Sequence, residues 1–162
     1  MDFSKDDIAA VIRQAAVLQD ELEALKYSIR DVPFEEKLDG YSMTLLEMVS
    51  LIDHGQETYY KPLVENLRKK ERSMVTRQDH FTSTFVFERD PEKSVEEMLN
   101  KVIKHRAAFL SYLEKLPIID WDRSTYMGGK RMTIFDLLKE MTLWEKDHLR
   151  GVAEMVMAFM KR

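Results

Sequence analysis

The sequence predicts an all-α protein, a four-helix bundle with one long crossover loop between its second and third helices. Three observations carry this. Apolar residues recur at three- and four-residue spacing along four separate stretches, the signature of helices with one buried stripe. Only 5 Gly and 4 Pro occur in 162 residues, so little interrupts long regular elements. One long irregular piece, residues 73–91, parts the second stretch from the third, and in bundles such a piece spans the helices or covers a site. The whole chain, residues 1–162, is expected to form one domain with a full core.

The first helix is expected to start at Ser4, whose hydroxyl can cap it, with Asp6 and Asp7 well placed in the first turn. Its stripe is Ile8, Val11, Ile12, Ala15, Leu18, Leu22, Leu25 and Ile29, and Asp31-Val32-Pro33 should end it. The second opens after Gly40, around Ser42, and runs to about Arg72, with Leu45, Val49, Ile52, Tyr59, Leu63 and Leu67 as its core edge. Pro62 lies inside it and should bend it. In the crossover, Phe81 to Phe87 alternates like a strand, but one strand without a partner is marginal, so it is read as packing on the bundle.

The third helix should start at Ser94, with Glu97 completing a capping box, and end near Pro117. A turn-rich link through Trp121-Asp122 and Gly128-Gly129 leads to the fourth, where Thr133 and Asp136 give a second capping signature. The fourth stripe is Ile134, Leu138, Met141, Val152, Met155, Val156 and Phe159.

Composition removes several classes of function. A net charge of −4 argues against a nucleic-acid partner, which would need a basic face. The local basic run Lys69, Lys70 and Arg72 reads as a solvated helix end. With no cysteine there is no disulfide, thiolate metal site or thiol nucleophile. The acidic start, Met1 to Asp7, does not read as a signal peptide, and no apolar run reaches membrane-span length. A cytoplasmic protein without a membrane partner is expected.

Chemistry concentrates on the last helix, where Trp144-Glu145-Lys146-Asp147-His148 interrupts an apolar stripe. At about 100° per residue, Glu145 falls at the stripe centre and His148 on its flank, while Arg106 falls at the centre of the third stripe. One reading makes Glu145 and His148 metal or substrate ligands in a cavity between helices. The other is a buried Arg106–Glu145 ion pair with His148 hydrogen-bonded beside it, and it is favoured because two ligands from one helix do not make a site. His54 lies opposite the second core edge, and Ser50 is also off that edge. His80 and His105 read as surface or packing histidines. No catalytic residue emerges: Asp53-His54 has no serine elbow, and Gly128-Gly129-Lys130 lacks the earlier glycine and strand of a phosphate loop. Met155, Met157 and Met160 offer a subunit contact.

Ser42-Met43-Thr44-Leu45-Leu46 leading to Leu51-Ile52-Asp53-His54 resembles one motif region of the DinB-like superfamily. Met132 to Leu138 leading to Trp144-Glu145-Lys146-Asp147-His148-Leu149 resembles the other, and Ser94 to Leu99 up to Arg106 is similar to its third-helix pattern. The resemblance implies a four-helix bundle, commonly a homodimer. In many members one His of the second helix and two of the fourth hold a nickel- or zinc-type divalent metal. Some members are thiol-dependent S-transferases or hydrolases. His148 matches the second His of the fourth helix, but the first falls on Trp144. The second-helix ligand falls on Ser50, or on His54 after a one-turn shift, and helical phase favours Ser50. A metal set drawn from His148, Glu145 and His54 is therefore incomplete. The expectation is a bundle that has kept the fold and lost the metal, a non-catalytic or small-ligand-binding homodimer with the ligand in the bundle cavity. The alternative is a metal-dependent hydrolase or low-molecular-weight-thiol S-transferase acting on a small electrophile.

Overall fold

Four long helical segments pack side by side in the computed structural model, which describes residues 1–69 and 80–162. Helix α1 (Lys5–Lys26) opens on a reciprocal cap: the Asp7 amide donates to Ser4 Oγ at 3.1 Å, and the Ser4 amide to Asp7 Oδ2 at 2.8 Å. It ends at Lys26, a turn earlier than expected, so Ile29 lies in the following turns rather than on the helix. Those turns fold Val32 and Phe34 into the core.

Helix α2 (Leu45–Gly55) starts from Thr44, not Ser42, because the Thr44 hydroxyl accepts the Glu47 amide at 3.1 Å. A π-helical turn (Gln56–Tyr60) and α3 (Lys61–Arg68) continue the same segment. Pro62 thus acts through the turn before it. Its ring cannot donate to residue 58 and crowds that carbonyl, and the widened turn, closed by the Lys61 amide on the Gln56 carbonyl, relieves both. The expected end near Arg72, the basic residues Lys70 and Arg72 and the first part of the crossover lie outside the described residues.

The crossover re-enters as a short helix α4 (Phe81–Thr84) and continues extended through residues 85–90, with no strand partner among the described residues. Helix α5 (Val95–Glu114) is capped by Ser94, which accepts the Glu97 amide at 3.1 Å. The return half of the expected box differs, since the Glu97 carboxylate takes the Ser94 hydroxyl at 3.3 Å rather than its amide. The next link is not merely turns: α6 (Ile118–Trp121) precedes a hairpin of β1 (Ser124–Met127) and β2 (Lys130–Thr133). Gly128 and Gly129, at φ of 61° and 80°, supply the two left-handed positions its two-residue turn requires. Helix α7 (Ile134–Met160) starts directly from β2 with a complete Thr133–Asp136 box.

Helix α1 packs on α5 and α7, and α2 packs on the same two. Successive helices α1 and α2 therefore stand across the bundle from each other, although consecutive elements are usually neighbours. The interior divides into two apolar clusters, one holding Phe109, Trp121 and Met141, the other Leu18, Leu99 and Met155. No described helix is long and apolar enough to cross a membrane.

Candidate functional site

Between the two apolar clusters lies a polar layer. Arg106 of α5 is fully buried and Glu145 of α7 is 5% exposed. Arg106 Nη1 donates to Glu145 Oε1 at 2.9 Å, and Nη2 to Oε2 at 2.5 Å, a two-pronged pair. Nε donates to Gln56 Oε1 at 2.5 Å, and Nη1 also to the Ala15 carbonyl at 2.7 Å. One guanidinium thereby ties α1, the π turn, α5 and α7. Its charge is matched and four of its five N–H donors are engaged, so this layer ties the bundle together as a buried ion pair rather than as an open ligand site.

His148 is turned away from that pair. Its Nε2 donates to the Met48 carbonyl at 2.8 Å, and burial pushes its pKa below the usual imidazole value, against the pull of the backbone bond and of Glu145. The ring stacks on Trp144 at 4.7 Å and 14°. Phe81 of α4 then meets Trp144 edge-on at 4.8 Å. Phe81 reaches this depth because residue 55 is glycine: a Cβ there would lie 2.8 Å from the Phe81 ring. The seam between α2 and α7 is thus filled by an aromatic column.

The three-imidazole centre implied by the resemblance does not fit these residues. At two of the positions that the resemblance implies for imidazoles stand Ser50 and Trp144, and His148 at the third is engaged by a backbone carbonyl. Nor do His148, Glu145 and His54 come together: His54 Nε2 lies 3.3 Å from Thr84 Oγ1, with its ring against Phe85. His54 therefore faces the crossover, not open solvent or α7. His80 caps α4 and packs on Phe81.

A different cluster forms on the other side of α2. His105 of α5 places Nδ1 at 2.8 Å from Asp53 Oδ1 and 3.4 Å from Glu57 Oε1. Among the described residues, this is the one group of three or more metal-ligating side chains whose donor atoms converge, all within 4.8 Å. Asp53 and Glu57 stand one helical turn apart on one face, while Gln56 between them points inward to Arg106. Burial raises the Asp53 pKa, opposed by the hydrogen bond from His105. The cluster opens into a cleft of about 380 Å³ that Ser50, His54, Lys93 and Lys101 also line. The sequence alone does not bring this cluster together, since His105 reads there as a surface or packing histidine. The available signal was the Asp53/Glu57 spacing on the flank of one stripe and His105 on the flank of another.

Comparison with known structures addresses the backbone. YfiT from Bacillus subtilis matches 94% of this chain and 87% of its own, with a TM-score of 0.72 and 14% identity. The two share one fold. YfiT is described as a probable metal-dependent hydrolase with an unusual four-helix bundle topology. Protein-family profiles and curated sequences return no match. The agreement with YfiT lies in the path of the helices, so the chemistry here has to be read from this chain's own side chains.

Proposed function

We propose that this chain is a DinB-like bundle that binds a small ligand in the cleft between α2 and α5, and that it does not use a metal centre between α2 and α7. One observation carries the reading: the Phe81–Trp144–His148 column fills the second seam and commits His148 to the Met48 carbonyl. The cleft on the first seam supports the other half, being open and lined with hydrogen-bonding and charged groups. A homodimer accords with exposed Met157 and Met160 at the end of α7 and with the apolar groove of Leu25, Leu149 and Val156 beside them.

Elemental analysis of the purified chain and of His148→Ala tests this directly. Equal metal content in both is expected. Stoichiometric metal lost on substituting His148 would overturn the reading. The metal-dependent hydrolase or thiol S-transferase reading is favoured by a separate observation, the convergence of Asp53, Glu57 and His105. A cation there would supply Lewis acidity or an activated water.

A further inference from the structure

We propose that Asp53, Glu57 and His105 form a divalent-cation site on the floor of the α2–α5 cleft, for a metal of the zinc or manganese kind, which helps hold a small anionic ligand. The proposal rests on the reading of this cleft as the ligand surface. Its donors are one imidazole and two carboxylates, a set that suits such borderline to hard cations and leaves coordination positions for water or ligand.

Geometry supports it. Donors about 2.1 Å from a tetrahedral metal lie about 3.4 Å apart. His105 Nδ1 already stands 3.4 Å from Glu57 Oε1, the His105–Asp53 edge at 2.8 Å needs only about half an ångström of opening, and all three donor atoms lie within 4.8 Å of one another. The donors come from two helices held by the buried layer one residue away on each: Gln56 adjoins Glu57, and Arg106 adjoins His105. Their backbones are thereby fixed before any ion arrives, as a preorganised site requires.

Charge supports it independently. Asp53, Glu57, Glu88 and Asp90 line the cleft against Lys93 and Lys101, and Lys61 at its margin pairs with Glu57 Oε2 at 3.7 Å, which leaves an excess of one negative charge with the histidines neutral. A divalent cation offsets that excess. With it in place, Lys93 and Lys101 are left to meet an anionic group on the ligand, a carboxylate or phosphate, that also reaches the metal. Asp53 is held partly away from water with His105 as its hydrogen-bond partner, a position that a metal would make favourable for a carboxylate.

Calorimetric titration of the chelator-treated full chain with Zn²⁺ and with Mn²⁺, at neutral pH, tests the site. One equivalent of at least one of the two is expected to bind. His105→Ala should weaken that binding at least tenfold, as should Glu57→Gln, whose near-isosteric side chain makes it the variant of choice if His105→Ala misfolds. His148→Ala should bind like the parent. Failure of the parent to bind either ion at millimolar concentration, or parental affinity in folded Glu57→Gln and His105→Ala, would reduce the cluster to a hydrogen-bonded triad only. Binding lost in His148→Ala but kept in His105→Ala would instead strike the reading of the closed α2–α7 seam.

Discussion

Helix α2 meets α7 along one side and α5 along the other, and the two seams are finished differently. Toward α7, Phe81 inserts over Gly55 and stacks its edge on Trp144, leaving His148 bonded to a carbonyl. Toward α5, Phe85 and Phe87 line the space beside Asp53, Glu57 and His105 without closing it, and a cleft remains. Both seams carry an imidazole of similar chemistry. The difference shows that what a polar side chain in a bundle can reach depends less on its identity than on which large side chain arrives between the helices. A crossover residue from far along the chain makes that choice here.

The seams share one brace, and breaking it should have the largest effect. Arg106→Met leaves Glu145 buried without its partner and should cost about 3–5 kcal/mol, the range for an orphaned interior charge. Denaturant unfolding should show it as a lower midpoint at unchanged slope. Pairing Arg106→Met with Glu145→Leu should recover most of the loss, since two apolar groups leave no charge unmatched.

Gly55→Ala attacks the closed seam alone. Alanine is the better helix former by about 1 kcal/mol, yet its methyl group would stand 2.8 Å from a buried ring. A net loss of about 1–3 kcal/mol in the same unfolding measurement is expected, as for overpacking. A gain in stability would mean that Phe81 does not occupy the seam.

A smaller effect should appear with pH. Burial lowers the folded-state pKa of His148 below 6.5, so the unfolded chain binds more protons than the native one between those two values. Stability should therefore fall as pH drops from neutral through that window, with Glu145 nearby softening the loss. His148→Gln, which cannot charge, should flatten this part of the pH–stability curve. The smallest stability change belongs to the open seam. Glu57→Gln should shift stability by no more than about 1 kcal/mol, the range for a part-exposed ion pair such as that with Lys61, while changing cation binding. That separation of stability from binding is what an open site predicts.

The sequence disclosed the parts of this fold that are local. Ser4, Ser94 and Thr133 cap the helices where their side chains predict, and the helical phase of Arg106 and Glu145 points each at the bundle axis, where they meet. Two local features were nonetheless missed. The Gly128-Gly129 pair marks a turn in the sequence, but the two short strands that make it a hairpin do not stand out, and Thr44 rather than Ser42 caps α2. The rest depends on how helices face each other. Asp53 and Glu57 lie on the flank of one stripe and His105 on the flank of another. Flanks come together only once the neighbours are known, and α2 lies beside α5 and α7 rather than beside α1. Phase could turn His54 off the core edge but could not foresee that Thr84 and Phe85 return to cover it. The π turn is likewise invisible in the residues themselves, with Pro62 as its single trace.

The central claim, that one seam is closed and the other receives the cation, is tested most directly by anomalous diffraction at the zinc edge from crystals of the full chain grown with Zn²⁺. The account predicts a peak bounded by Asp53, Glu57 and His105, with none beside His148. A peak between α2 and α7 at His148, with Trp144 and Phe81 displaced, would contradict it.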